Sequence, residues 1–384
     1  MKIIFAADMS LNYLQTAPTV AEAKAIFADV IEEFNRADFS FLNLETVFGE
    51  EGNYTPLPKC GPSLLSTYDF FSPIEALRPS ALGLANNHAR DFGDEALADT
   101  MKHLTEHGYP FCGAGMNVDE AYKPHIFEKD GTRVAIYAIA ENEPGYADVD
   151  HGGMAGYNIT RVTRAIFESR ERGEIPVIFF HGGNEHNPFP SPGKTDLYRH
   201  FVDLGAAAVI AMHTHCPQGN EYYKGAPIIY SMGNFFFPWK EKRPPFWYHG
   251  YMTLLDIDDG GVKYEIIPYV FDNDCHKVLK GEEREYFLRY VDRLSAPLSD
   301  PKAIRDYFCA WCAKFGIKNL LCRTSFDKSM LDGTPKDVAL IKNILGCEAH
   351  NEVVTTSAAM IYEGRLHDYD HLIPEIDRLQ NLEI

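Results

Sequence analysis

Between the N-terminus and about residue 240 short β-rich apolar runs alternate with longer amphipathic stretches. The runs are KIIFAAD, FSFLNLE, SALGLANN, RVAIYAIA, PVIFFHGG, AAVIAMHTH and APIIYSMGNFFF. Thr19 to Arg36, Asp94 to His107, Thr160 to Arg172 and Lys194 to Leu204 set apolar positions at helical spacing against a charged face. Strands that alternate with helices build an α/β core. Residues 251–273, YMTLLDIDDGGVKYEIIPYVFDN, alternate apolar and polar around Asp-Gly-Gly and read as a β-hairpin. Beyond residue 275 the chain turns to charge-rich helical segments such as GEEREYFLRYVDRL and HDYDHLIPEIDRLQNL. The expected division is an α/β domain over 1–274 and a helical C-terminal appendage over 275–384.

Nearly every run in the first part ends in a residue that can bind a metal or move a proton. Asp8 closes the first; Glu45, preceded by Asn43, closes the second; Asn86, Asn87 and His88 close the third. His181 follows VIFF, and His213-Thr-His215 follows AVIA. Residues outside the carboxyl ends of strands in an α/β sheet share one crevice, so these side chains are expected to converge. Singly, each has an ordinary explanation: a strand-end carboxylate caps a helix, Asn86-Asn87 forms an Asx turn, a lone His181 is a hydrogen-bonded core residue. Jointly, an Asp, a Glu, an Asn amide and three imidazoles are N/O donors suited to one or two Mn, Fe or Zn ions. In an extended segment, His213-x-His215 would put both rings on the same side.

Composition narrows the function. The 384 residues are 45% hydrophobic and 24% charged, which is ordinary for a folded protein. A formal charge of -19 leaves no diffuse basic surface for a phosphate backbone, so nucleic acid is not an expected partner. A small anionic substrate would need a metal or a local cation to hold it. MKIIFAADMS is too short for a signal-peptide core, and no stretch approaches the roughly 18 apolar residues of a membrane span, so the chain reads as cytoplasmic. Eight scattered cysteines fit reduced thiols, and Cys309-Ala-Trp-Cys312 reads as two core thiols on one helix face rather than a zinc knuckle. His350, His367 and His371 read as surface residues. GAGMNVDEA lacks the Lys-Ser/Thr of a phosphate loop and reads as a strand-helix turn.

The segments NLET, LANNHARDFG, GAGMNVDEA, FFHGGNE and AMHTHCPQGNEYYKGAPIIYSMGNFFF resemble those of the CapA family, named for poly-γ-glutamate capsule proteins and similar in fold to calcineurin-like metallophosphoesterases. The resemblance spans roughly residues 2 to 240 and implies a metallophosphoesterase-like layered α-β-β-α sandwich. It implies that Asp8, Glu45, Asn87, His181, His213 and His215 hold the metal and that His88 is catalytic. It gives Asn43, Lys59, Glu185 and Asn234 a loose substrate-facing role. Where the phosphoesterase first motif is Asp-x-His, this chain has Asp8-Met9-Ser10, so one imidazole is lost, as in the CapA-like pattern generally. Capsule-assembly members carry a membrane anchor, for which this sequence shows no segment.

The function expected from these residues is metal-dependent hydrolysis. An activated water would attack a phosphoester or a γ-glutamyl or peptide amide while His88 protonates the leaving group. The rivals are a binding protein for an acidic polymer or capsule assembly with a degenerate metal site, and a metal-assisted isomerase or epimerase. The missing first-motif histidine favours the binding protein; His88, which metal binding alone does not require, favours an enzyme.

Overall fold

The computed structural model describes residues 1–258, 260–272, 274–323 and 333–384, with 335–337 described by their backbone alone. Its centre is two facing β-sheets. The eight-stranded sheet runs, edge to edge, His276–Val278, Gly261–Phe271, His249–Asp258, Lys2–Met9, Phe39–Leu44, Ala81–Gly83 and Phe111–Cys112, with Asn234–Phe236 also paired to Lys2–Met9. The six-stranded sheet runs Asn220–Tyr223, Ala226–Ile229, Ala208–Met212, Ile175–His181, Thr132–Ala140 and His125–Lys129. In each sheet the strands that carry candidate site residues pair in parallel, which sends their carboxyl ends the same way.

Alternation along the strands explains the layers. In Thr132–Ala140, Val134, Ile136, Ala138 and Ala140 join the apolar cluster between the sheets, whereas Ala135, Tyr137 and Ile139 join a second cluster beneath helices. Ile175–His181 divides likewise, Val177 and Phe179 to one cluster and Ile178 and Phe180 to the other. Phe179 meets Phe41 edge-on at 4.9 Å and Phe5 at 5.8 Å, joining the two sheets. On the outer face of the second sheet, Val162 and Ile166 of helix Ile159–Glu171 and Tyr198 and Phe201 of helix Pro192–Leu204 complete the second cluster. Asn158 and Ser191 cap these helices by accepting from Arg161 N and Lys194 N. The result is a layered α-β-β-α sandwich.

Three expected elements differ in detail. Thr19 to Arg36 forms two helices, Val20–Ile26 and Ala28–Phe34, which bend at Phe27, whose buried ring packs on Phe236 at 5.0 Å. APIIYSMGNFFF is two strands in different sheets. Ala226–Ile229 stays in the second sheet, and Asn234–Phe236 crosses to the first, with Gly233 at φ 80 making the turn between them. The hairpin pairs His249–Asp258 with Gly261–Phe271; Asp259 of its expected turn lies outside the described residues.

The helical C-terminal part packs on the sandwich. Leu294, Phe308, Trp311, Val353 and Leu379 belong to the same apolar cluster as the strand residues between the sheets. Cys309 and Cys312 are unpaired and buried within this packing, and burial pushes the Cys312 thiol far up. Helix Glu348–Tyr362 is tied down at its start. Glu348 accepts from Asn142 N at 3.0 Å and Asn142 Nδ2 at 2.6 Å, and Ala349 N donates to Glu141 at 3.0 Å. Among the described residues, no helix is long and apolar enough to cross a membrane.

Candidate metal centre

At the carboxyl ends of the parallel strands, Glu45, His181 and His213 form one buried group whose ligand atoms lie within 4.8 Å of one another. Glu45 follows Phe39–Leu44, His181 ends Ile175–His181, and His213 follows Ala208–Met212, so the group draws on both sheets. His181 Nε2 lies 2.9 Å from His213 Nδ1, 3.1 Å from Asn87 Oδ1 and 3.9 Å from Glu45 Oε1. Around one nitrogen, therefore, stand a carboxylate, an amide oxygen and a second imidazole.

The donor set fits a divalent cation on two counts. Both oxygens of Glu45 are buried and accept no hydrogen bond among the described residues. A carboxylate so placed needs a proton or a cation. Burial, together with the nearby Asp8 and Glu185 carboxylates, holds the Glu45 pKa well above the ordinary carboxyl value. Secondly, burial and the His181 and His215 imidazoles hold the His213 pKa well below its usual value, so that ring stays neutral, as a ligand must.

Carboxylates orient both rings from behind. Asp8 Oδ1 lies 3.3 Å from His181 Nδ1, and Glu143 Oε1 lies 3.4 Å from His213 Nε2. Such partners leave the opposite nitrogen's lone pair free for a metal. Asp8 is itself held, accepting from Asn43 Nδ2 at 2.8 Å and from His213 N at 2.9 Å. Burial opposes its ionisation, but the His181 and His215 imidazoles prevail and keep its pKa low.

His213 and His215 depart from the extended segment expected of them. The strand ends at Met212, and both histidines adopt left-handed backbone, φ 96 and φ 55. This turn separates the rings to 6.0 Å and aims them apart: His213 towards His181, His215 Nδ1 to Asn234 Oδ1 at 2.7 Å. Left-handed non-glycine residues are uncommon and gather at functional sites. Asp8 and His215 thus flank the three-residue group on one side, with Ser10 nearby in sequence, its hydroxyl buried and without a partner among the described residues.

On the other side stands His88. Its Nε2 lies 3.7 Å from Glu45 Oε1, while Nδ1 lies 2.7 Å from Asp91 Oδ2. Lys59 forms an ion pair with Asp91 and donates to Asn87 O at 3.2 Å. Burial and the Lys59 charge hold the His88 pKa at about 4 against the pull of Asp91.

Asn43 and Asn234, expected to face substrate, are fully buried and instead hold Asp8 and His215. Lys59 and Glu185 do line open space, a cavity of about 270 Å³ that also touches Asn87, His88 and Glu143. Asp91 and Glu143, and Glu141, which accepts from Ala349 N, were not picked out from the sequence, and His350, read there as a surface residue, instead lines this cavity with its Nδ1 buried. His88-x-x-Asp91 was a readable signal, since two residues one turn apart can share a proton. Glu141 and Glu143 follow RVAIYAIA, a run whose end was not read for site residues as the other ends were.

The chain is thus a layered α/β sandwich with an imidazole–carboxylate group at its strand ends. Residues 2–238 match the bacterial capsule synthesis protein PGA_cap family, and the chain belongs to it. It is 27% identical over 244 residues to the PGA biosynthesis protein CapA of Bacillus subtilis (strain 168), covering 61% of this chain and 62% of that one. It is 29% identical over 164 residues to the capsule biosynthesis protein CapA of Bacillus anthracis, covering 41% and 40%. A probable polyglutamine synthesis accessory protein of Mycobacterium tuberculosis is 26% identical over 216 residues, covering 53% and 56%. The chain thus spans less than two thirds of the length of each of these relatives. Among solved structures, a 5'-nucleotidase from Candida albicans SC5314 aligns over 80% of this chain and 56% of its own, with 9% identity and a TM-score of 0.40.

Proposed function

We propose that the chain is a metal-dependent hydrolase. The observation that carries this is Glu45, buried with both oxygens unpartnered between the His181–His213 pair and His88. Glu45, His181 and His213, with Asn87, would hold a Mn, Fe or Zn ion, and Asp8 and His215 would serve a second. A bound divalent ion supplies a water of lowered pKa and polarises the bond under attack.

His88 faces the same space through Nε2, and Asp91 fixes its ring through Nδ1. With a pKa near 4 the ring rests neutral at pH 7. An anionic substrate beside it raises its proton affinity, and the imidazolium then protonates the leaving group. Lys59 tempers the negative charge of Glu45, Asp91 and Glu143 around the site. The bond cleaved is a phosphoester or a γ-glutamyl or peptide amide; the second option draws on the relatives' names. Unpaired cysteines throughout the described chain support a reducing, cytoplasmic setting. The proposed division between the sandwich and the helical C-terminal part falls a few residues beyond 274/275, because His276–Val278 is the edge strand of the eight-stranded sheet and the first helix after it is Gly281–Ser295.

Ser10, standing where an imidazole would complete the first motif, favours the non-catalytic alternative, a polymer-binding or capsule-assembly protein with a depleted centre. The two separate by experiment. Mn²⁺-loaded protein is assayed with p-nitrophenyl phosphate and γ-glutamyl-p-nitroanilide, beside His88→Ala. Turnover that His88→Ala abolishes while keeping its metal supports the hydrolase; metal bound without turnover of either compound supports the binding protein; full activity in His88→Ala removes His88 from the chemistry.

A further inference from the structure

The cavity beside His88 is closed by the C-terminal helices. Trp311, Asn343 and His350 line it together with Asn184 and Glu185 from the sandwich. All three C-terminal residues lie outside the segment that matches the family. Four polar atoms on these lining residues are buried and have no hydrogen-bond partner among the described residues: Asn184 Oδ1, Trp311 Nε1, Asn343 Oδ1 and His350 Nδ1. Asn184 and Asn343 are 7% and 6% exposed, and Trp311 is 2% exposed. Buried polar groups are paired in the great majority of cases, so four orphans from separate elements around one cavity mark a place where a ligand completes the bonding.

Their chemistry says what kind of ligand. Asn184 Nδ2 donates to Ala349 O at 3.1 Å, which fixes the amide so that Oδ1 is an acceptor in search of a donor. Asn343 Oδ1 is a second such acceptor, and the Glu185 and Glu143 carboxyls line the same cavity. Acceptors so gathered suit a primary ammonium, which carries three donors and no acceptor. The cavity also holds the reverse: the unpartnered Trp311 N–H and the guanidinium of Arg323. These suit an acid group. At about 270 Å³ the cavity falls just below the range of roughly 300–1,000 Å³ that houses drug-sized ligands, which fits an amino-acid-sized molecule and not the interior of a polymer.

We propose that this cavity recognises a small zwitterion, its primary ammonium held by Asn184, Asn343 and Glu185 and its acid group by Trp311 and Arg323. The C-terminal helices thereby select the substrate that the strand-end centre acts on. The assignment rests on the hydrolase proposal only in placing the scissile bond beside His88; recognition of the ammonium is measured without turnover.

The test is calorimetric titration of the full chain with two matched pairs: O-phospho-L-serine against the phosphate monoester of 3-hydroxypropionate, and L-glutamine against glutaramate. Each pair differs only in the ammonium. In at least one pair the ammonium compound binds about tenfold or more tightly, as loss of charge-assisted hydrogen bonds requires. That preference collapses in Asn184→Leu and in Glu185→Gln, each checked for an unchanged thermal midpoint. Equal affinity within both pairs, no binding by any of the four, or a full preference retained in both folded variants would overturn the proposal. An intact ammonium preference in a protein that holds no metal and turns over nothing would sink the hydrolase alone.

Discussion

The strand-end side of the site and its helical roof solve different problems with different residues. On the strand side the polar groups are carboxylates and imidazoles placed by parallel pairing, and apart from the Glu45 oxygens they partner one another densely: His181 alone meets Asp8, Asn87 and His213. On the roof side the lining groups are amides, an indole and an imidazole that meet few partners across the cavity. The first arrangement is built to hold charge, the second to wait for a ligand.

The sharpest way to break this contrast is to remove one residue from each side. His88→Ala should lower turnover by about 10²- to 10⁴-fold while metal content stays at the wild-type level, measured by steady-state kinetics beside elemental analysis. Asn343→Leu should leave metal content unchanged and raise KM. Equal kinetic effects from the two would erase the distinction.

A second comparison concerns packing. Phe308 lies in the C-terminal part yet belongs to the sandwich's own apolar cluster and is 1% exposed. Phe308→Ala should cost about 3–5 kcal/mol in chemical denaturation, with one cooperative transition for the whole chain. Two separated transitions would show that the helices fold apart from the sandwich. Glu348→Ala should cost less, about 1–3 kcal/mol, and should raise hydrogen exchange at Asn142 and at the start of Glu348–Tyr362.

The smallest effect is a pH dependence belonging to the strand side alone. The raised pKa of Glu45 means that the metal-free fold binds a proton more readily than the unfolded chain. Its contribution to stability is present below the ordinary carboxyl range and is lost as pH rises towards the raised value. A divalent ion replaces that proton, so Mn²⁺ should raise the thermal midpoint by more at pH 8 than at pH 5. A shift that is larger at pH 5 would contradict the role given to Glu45.

What was legible in the sequence follows the same divide. Asp8, Glu45, His181 and His213 were readable because a parallel sheet turns position along a strand into position in space, whatever the intervening length. Glu141 and Glu143 obey that rule as well. The left-handed turn at His213 and His215 was not readable, because nothing in HTH distinguishes it from extended chain until Asp8 accepts His213 N. His350 and Asn343 were hidden for a deeper reason. Helix periodicity says which face is apolar but not which cavity the helix closes, and that depends on the Glu348–Asn142 and Ala349–Glu141 contacts, about 200 residues apart in sequence.

The most direct test is elemental analysis of the purified protein alongside Glu45→Gln and His213→Ala. At least one equivalent of Mn, Fe or Zn per chain, lost in both variants while their folds remain intact, is the expected result. A folded wild-type protein that holds no divalent ion after reconstitution would contradict the metal centre and the hydrolase with it.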